Sequence, residues 1–268
     1  MTCLDPVPIA AGDIHLWFSF HGEHGDVAWS NRCSALLEAH ELRKQAAFHF
    51  ARDRHQYLLT RALVRTVLSR YAPVAPQEWR FTANANGRPQ LVDPGTVQTQ
   101  GLEFNLSHTR GLVVMGVTRH AMLGVDAEYL SRPAPLSITD RVFSADESCA
   151  LQSLPPARQP QRFYELWTLK ESYVKARGLG MQIPLDQVGF LLDQEDRIEL
   201  NVDAELCDAP ERWDLWQLRP SADHLVAVCA ETPTSTSSRV TCRDIFPMLW
   251  EKDFAVPVTR RTMHGVET

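Results

Sequence analysis

No apolar run in this chain approaches the ~18 residues that a membrane-spanning helix needs, so no membrane partner is expected. Its first residues, MTCLDPVPIAAGD, lack the basic start and the apolar stretch of a secretory leader. The expected location is the cytoplasm. The sequence has no CxxC and no paired cysteine spacing: Cys3, Cys33, Cys149, Cys207, Cys229 and Cys242 are scattered, which reads as reduced thiols and not as a disulfide framework. Positive charge is not in excess either. With 27 Lys plus Arg against 33 Asp plus Glu the net charge is −6, whereas a nucleic-acid binder is more often basic, so no nucleic-acid partner is expected.

What is present is enough chain for one large domain or two smaller ones, 268 residues with 44% hydrophobic and 22% charged, an ordinary globular composition. Residues 14–20 (IHLWFSF) read as a first strand, and 34–70 mainly as helix. In 54–70, at about 100° per residue, Leu59, Leu63 and Val67 form one apolar stripe, with Arg61 and Arg65 each within ~20° of Arg54 on the opposite side. Residues 41–70 hold seven Lys/Arg against two acids, which is either a solvated helix face or an anion site. Asn84-Ala85-Asn86-Gly87-Arg88-Pro89 signals a turn. Residues 104–107, 112–118 and 123–130 read as strands, 136–154 and 161–177 as helices, the second stopped by Gly178. Residues 213–218 and 225–229 close as strands. The order suggests two α+β halves joined near residue 120, without a convincing sequence repeat. A Thr/Ser/Pro-rich linker (ETPTSTSSR) leads to a tail whose IFPMLW is too apolar for simple disorder and is expected to dock on the body.

Two stretches carry chemistry, LGVDAEYL at 123–130 and WTLKESYVKARG at 167–178. In the strand, Asp126 and Glu128 project from one face. At a rise of about 3.3 Å per residue their Cα atoms lie about 6.6 Å apart, within reach of one ion. On the helix Glu171 and Lys175 are i,i+4 neighbours, and Trp167 extends their stripe by one turn. Three carboxylates and a lysine suit a hard cation beside a phosphate ester or anhydride. Spacing alone leaves a second reading open: a polar strand face, and a helix-surface ion pair worth ~0.3–0.5 kcal/mol.

These residues also carry a resemblance. GVDAEYL followed by FYELWTLKESYVKARGLG resembles the paired signature of Sfp-type 4′-phosphopantetheinyl transferases, in the holo-carrier-protein synthase superfamily: G-[VI]-D-x-E and W-x-x-K-E-[SA]-x-x-K. FNLSHTRG at 104–111 is similar to the family's N-x-S-H segment, and Gly87-Arg88-Pro89 to its G-[KR]-P turn. The four motifs occur in family order, with weaker similarity over 15–229. Ser172 after Lys170-Glu171 places the chain nearer the K-E-S branch, which by resemblance serves nonribosomal peptide, polyketide or siderophore carriers.

The resemblance implies an α+β fold of two pseudo-symmetric α/β halves. Residues 1–120 would bind coenzyme A, 121–231 would carry the metal-binding and catalytic motifs, and 232–268 would be a linker and tail of unreadable role. A monomer with its active site at the interface of the halves is expected, since such clefts are common site locations. The implied reaction moves the phosphopantetheine arm of coenzyme A to a serine of an apo acyl or peptidyl carrier protein, releasing 3′,5′-ADP, with magnesium. The alternatives are a non-catalytic coenzyme A or nucleotide-binding module and a carrier-docking protein.

By position in the motifs, Asp126, Glu128 and Glu171 would be the metal-associated acids, a set that suits Mg²⁺, which prefers oxygen ligands and substrate phosphates. Glu171 is the candidate base for the serine hydroxyl, directly or through a metal-bound water. Lys175 would hold a phosphate oxygen or orient Glu171, and Lys170 is either a further coenzyme contact or a solvated lysine. Ser107 and His108, with Arg88, would hold the 3′-phosphate end of coenzyme A. A histidine there gains from protonation, so coenzyme affinity is expected to depend on pH. Lys44, Arg54 and Arg61 are further phosphate candidates. One departure is Gln56, standing after His55 where family members carry a basic residue. Asn105 reads as a hydrogen-bonding residue at a strand edge or turn.

Overall fold

A computed structural model describes residues 6–21, 26–192, 194, 196–232 and 238–263. The readings of Cys3 and of 233–237 in the linker fall outside them. In chain order the elements begin with β1 (Asp13–Phe20), α1 (Val27–Ser34), α2 (Ala39–Ala47), α3 (Ala51–Leu68), β2 (Phe81–Ala83), β3 (Pro89–Leu91), β4 (Leu102–Thr109) and β5 (Leu112–Arg119). There follow β6 (Leu123–Tyr129), α4 (Thr139–Val142), α5 (Ala145–Ser153), α6 (Gln159–Arg177), β7 (Val188–Leu191) and β8 (Arg197–Val202). The last are β9 (Trp213–Ser221), β10 (His224–Glu231), β11 (Arg239–Phe246), β12 (Trp250–Asp253) and β13 (Val258–Thr262). The fold is α+β. Among the described residues no helix is long and apolar enough to cross a membrane. Cys33, Cys149, Cys207, Cys229 and Cys242 are free thiols.

The chain divides into two compact units. The first comprises Met1–Phe104, Gly111–His120 and Arg239–Ala255. Its main sheet has the order β12-β11-β1-β5-β4. The apolar run of β1 is buried almost throughout, because it lies between β11, parallel to it, and β5, antiparallel. The tail therefore supplies the neighbour of the first strand, with Asp13 opposite Arg239 and Phe18 opposite Asp244. The helical stretch expected over 34–70 is three helices. Phe48 and Phe50 take extended backbone between α2 and α3, and the Arg54 guanidinium donates to the carbonyls of Phe48 and His49 at 2.8 and 3.0 Å, fixing that break.

The second unit comprises Asn105–Arg110, Ala121–Ser238 and Val256–Thr268. Its sheet runs β6-β10-β9-β13-β8-β7. The three-strand order β4-β5-β1 of the first unit returns here as β9-β10-β6, with β1·β5 and β6·β10 both antiparallel. Each unit thus repeats one topology although no repeat is visible in the sequence. The helix expected over 136–154 is broken at Phe143-Ser144: Ser144 caps α5 by accepting from the Glu147 amide, and the Glu147 carboxylate accepts from the Ser144 amide. Helix α6 ends at Gly178, whose φ of 67° is the left-handed stop that favours glycine. It buries Phe163, Leu166, Leu169, Tyr173 and Ala176 in the unit's core, each large apolar side chain contributing about 1.5–3 kcal/mol.

Candidate functional site

Strand β6 is the edge of its sheet and presents two unladdered amides. The side chains of the N-x-S-H segment take them: Asn105 Oδ1 accepts from the Val125 amide at 3.0 Å and Ser107 Oγ from the Ala127 amide at 3.1 Å. Asn105 is thus the strand-edge hydrogen-bonding residue that the sequence suggested. On the helix side, Gly124 lets α6 pack directly on β6. A Cβ there would lie 1.9 Å from the Ser172 carbonyl oxygen and 2.4 Å from the Ala176 amide nitrogen.

That approach brings Lys175 onto Asp126. The ammonium is 2.7 Å from Asp126 Oδ1, and it donates to the Val125 carbonyl at 3.0 Å and to Ser107 Oγ at 3.1 Å. Ser107 Oγ also donates to Asp126 Oδ1 at 3.1 Å. Asp126 is buried, and its Oδ2 has no hydrogen-bond partner among the described residues. Such an atom carries a desolvation cost of about 1–3 kcal/mol or more until something satisfies it.

Two further carboxylates are electrically coupled to Asp126. Burial, and then the Asp126 charge, push Glu171 above the usual glutamate range, while Lys175 pulls it back. Glu128 is raised by burial and Asp126, and is lowered by Arg132 and by a hydrogen bond from Trp167. Arg132 reaches Glu128 Oε2 at 3.2 Å, and Trp167 is stacked on Phe163. Among the described residues no group of three or more His, Cys, Asp or Glu side chains forms a ready metal cage. Within the expected set of Asp126, Glu128 and Glu171, Lys175 is paired with the first and Arg132 with the second. The buried, unpartnered Asp126 Oδ2 and the two raised glutamates, each destabilised by negative charge, are nevertheless what a divalent cation would relieve. The oxygen donors fit it.

His108 is exposed on β4. Protein packed about its ring, and then the Lys175 ammonium, hold its pKa below the usual histidine value, with Asp126 opposing. Ser107, expected to face the coenzyme, is bonded inward to Asp126 and Lys175.

Lys170 differs from both sequence readings, coenzyme contact and solvated lysine. It is fully buried, 2.7 Å from Glu147 Oε2 and donating to the carbonyls of Leu185 and Val188. Three acceptors use the donor capacity of an ammonium, so Lys170 is a packing element of α5 and α6.

The other predicted cations lie in the first unit. Arg61 and Arg65 converge on Glu41, which is 1% exposed: Arg61 Nε is 2.5 Å from Oε1, and Arg65 is 2.6 Å from Oε2. Arg65, read as part of a polar face, is fully buried, because Glu41 of α2 and the Leu36 carbonyl of the preceding connection cover that face. Arg54 holds the α2–α3 break, and Lys44 is exposed beside the Tyr57 ring. Arg88 follows an Asx turn in which Asn84 Oδ1 accepts from the amides of Asn86 and Arg88, with Gly87 at φ 81°. Its guanidinium is 3.9 Å from Glu103.

Trp167 and Arg132, which orient Glu128, had no assigned role in the sequence. The tryptophan of the W-x-x-K-E signature, one turn before Glu171, was the available signal. Arg132 gave none.

Comparison with known proteins identifies the family. A family model described as the 4′-phosphopantetheinyl transferase superfamily matches residues 122–229, and one described as 4′-phosphopantetheinyl transferase, N-terminal, matches 26–120. The 4′-phosphopantetheinyl transferase HetI of Nostoc sp. (strain PCC 7120) is 32% identical over 196 residues, covering 73% of this chain and 78% of HetI. The 4′-phosphopantetheinyl transferase ffp of Bacillus subtilis is 30% identical over 204 residues, 76% of this chain and 86% of ffp. Among solved structures, the holo-[acyl-carrier-protein] synthase of Thermotoga maritima aligns over 44% of this chain and 63% of its own, at 20% identity and a TM-score of 0.34. With two relatives at or above 30% identity matched over more than three quarters of their length, the chain belongs to the 4′-phosphopantetheinyl transferase family.

Proposed function

We propose that this protein transfers the 4′-phosphopantetheine group of coenzyme A to a serine hydroxyl of an apo acyl or peptidyl carrier protein, releasing 3′,5′-ADP, and that the reaction uses Mg²⁺. The observation that carries the roles below is the Asp126–Lys175 pair, seated on Ser107 and flanked by Glu171 and Glu128.

Glu171 takes the serine proton. Burial and the Asp126 charge make it a stronger base than a solvated glutamate, which brings its proton affinity closer to working pH. The serine oxygen forms its bond to the β-phosphorus of the coenzyme pyrophosphate while the bond from that phosphorus to the bridging oxygen breaks. The leaving group is 3′,5′-ADP. Lys175 places positive charge beside the phosphate oxygens on which negative charge builds, the dominant requirement of phosphoryl-type transfer. His108, whose pKa is held low by its surroundings and by Lys175, donates an N–H to a coenzyme phosphate, whose negative charge favours the protonated ring. Asp126, Glu128 and Glu171 would hold Mg²⁺, which when bound would supply charge neutralisation on the pyrophosphate. The Lys170-Glu171-Ser172 run supports peptide, polyketide or siderophore carriers as acceptors, and the enzyme acts as a cytoplasmic monomer.

The test is to mix purified protein, coenzyme A, Mg²⁺ and several apo carrier proteins, and to follow the carriers by intact mass. One phosphopantetheinyl group per carrier is expected. Unmodified carriers of every class would sink the enzymatic reading. Glu171→Gln should abolish the transfer while leaving coenzyme A affinity close to wild type; near-normal turnover in that variant would remove Glu171 as the base.

A further inference from the structure

We propose that Lys175 is the internal counter-ion of Asp126, seated there by Ser107 and the Val125 carbonyl, and that a divalent cation loading at Asp126 must displace it. The proposal deepens the reading above and rests on its assignment of Asp126 to the metal.

Asp126 is 6% exposed, and a carboxylate so enclosed is costly unless a positive charge or donors meet it. The ammonium meets it at 2.7 Å. The atoms that hold that ammonium include a carboxylate oxygen (Asp126 Oδ1), a hydroxyl (Ser107 Oγ) and a carbonyl (Val125 O). These are also the hard oxygen ligands that Mg²⁺ or Mn²⁺ takes. One nest of oxygens therefore faces two cations, and a divalent ion on Asp126 repels an ammonium held 2.7 Å from Oδ1. The second carboxylate oxygen is left buried and unpartnered among the described residues, so the lysine balances the charge of Asp126 without completing its coordination.

The Lys175 side chain is 28% exposed, so its head can leave the nest without unpacking α6. Ser107 is a positioning residue in this scheme. It fixes the carboxylate and the ammonium through one hydroxyl while its own place is set by the Ala127 amide. The arrangement keeps the site electrically balanced when no metal is present, and frees the ammonium for a phosphate oxygen once the metal has loaded.

The experiment is a Mn²⁺ titration of the full chain without coenzyme A, read by electron paramagnetic resonance of free Mn²⁺. Lys175→Met and Lys175→Ala are expected to bind Mn²⁺ about tenfold tighter or more than wild type, the scale set by coupling within a close charge pair. Adding Asp126→Asn to either should remove the gain. In wild type the ¹⁵Nζ resonance of Lys175 should shift as Mg²⁺ is added, a reading that needs no variant. Unchanged or weaker Mn²⁺ binding in both lysine variants would overturn the proposal, as would a gain that survives Asp126→Asn or a Lys175 resonance indifferent to Mg²⁺. None of these readings depends on turnover. Absence of carrier modification by wild type therefore counts against the proposed function, and an unchanged Mn²⁺ affinity counts against the counter-ion alone.

Discussion

Replacing Gly124 by alanine should separate β6 from α6, and with it Asp126 from Lys175. The new Cβ would sit 1.9 Å from the Ser172 carbonyl oxygen and 2.4 Å from the Ala176 amide nitrogen, both helix backbone that no rotamer change can move aside. Reaching an ordinary contact of 3.4 Å requires a displacement of about 1.5 Å along that line. Overpacking costs about 1–3 kcal/mol where side chains can adjust. Here the obstacle is the helix that carries the buried Leu169 and Tyr173, so a loss of about 3 kcal/mol or more is expected, a large share of the ~5–15 kcal/mol that holds a typical domain. At about 2–4 °C per kcal/mol for a chain of this size, the melting temperature should fall by roughly 6–12 °C.

The same shift would carry a 2.7 Å ion pair beyond bonding reach, so the folded fraction should also lose transfer activity. Gly189→Ala is the control, because its Cβ would meet Ser144 Oγ at 3.6 Å and Asn201 Cβ at 3.9 Å, both ordinary contacts. Urea melts of the two variants, with carrier modification measured below the transition, decide the matter. A Gly124→Ala protein within about 0.5 kcal/mol of wild type and fully active would refute the reasoning, since that is the range of a neutral surface change.

Other perturbations have equally definite outcomes. Because the Glu171 pKa is raised in the folded protein, that state holds its proton to higher pH than the unfolded chain, so metal-free stability should fall as pH rises from the ordinary glutamate range through the raised value. Glu171→Gln should flatten that decline and melt higher than wild type at pH 7 in EDTA; an unchanged pH profile contradicts the coupling. Lys170→Met leaves Glu147 buried without its charge partner and should cost about 3–5 kcal/mol in denaturant melts, while the folded protein keeps its coenzyme A affinity. Truncation after Ser238 strips β11 from β1 and β13 from between β9 and β8. That exposes the edge of a buried apolar strand, so aggregated protein is expected on size-exclusion chromatography. A soluble, cooperatively melting product would show that the tail strands are dispensable.

Local chemistry was legible wherever a side chain acts within its own element. The stop of α6 at Gly178 needed only the rule that a left-handed residue is cheapest as glycine. The turn at Asn84–Arg88 needed only Asn and Gly. The period of α3 gave its apolar face, yet Arg65 on the supposed polar side is buried, because periodicity tells which residues share a face and not what covers it. The cover is Glu41, 24 residues earlier. Strands β7, β8 and β11 to β13 were missed for a related reason. β11 and β13 take their places from ladder partners far along the chain, as when Arg239 meets Asp13, whereas β8 (RIELNV) does alternate and its period of two went unread.

The site divides along the same line. Short-range pattern is enough to put Asp126 and Glu128 on one strand face and Glu171 and Lys175 on one helix face, and to show which family the motifs resemble, since all of these follow from a period of two or 3.6 and from short signatures. Tertiary structure alone decided the partners. Lys175 reaches Asp126 across 49 residues of sequence because Gly124 lets helix and strand backbones nearly touch. Ser107 turns inward because the edge of β6 has amides to satisfy. Lys170, one residue from the proposed base, belongs to the core because the next position on a helix points about 100° away, toward Glu147. Which charge meets which is a property of packing, and packing is written in no single stretch of the chain.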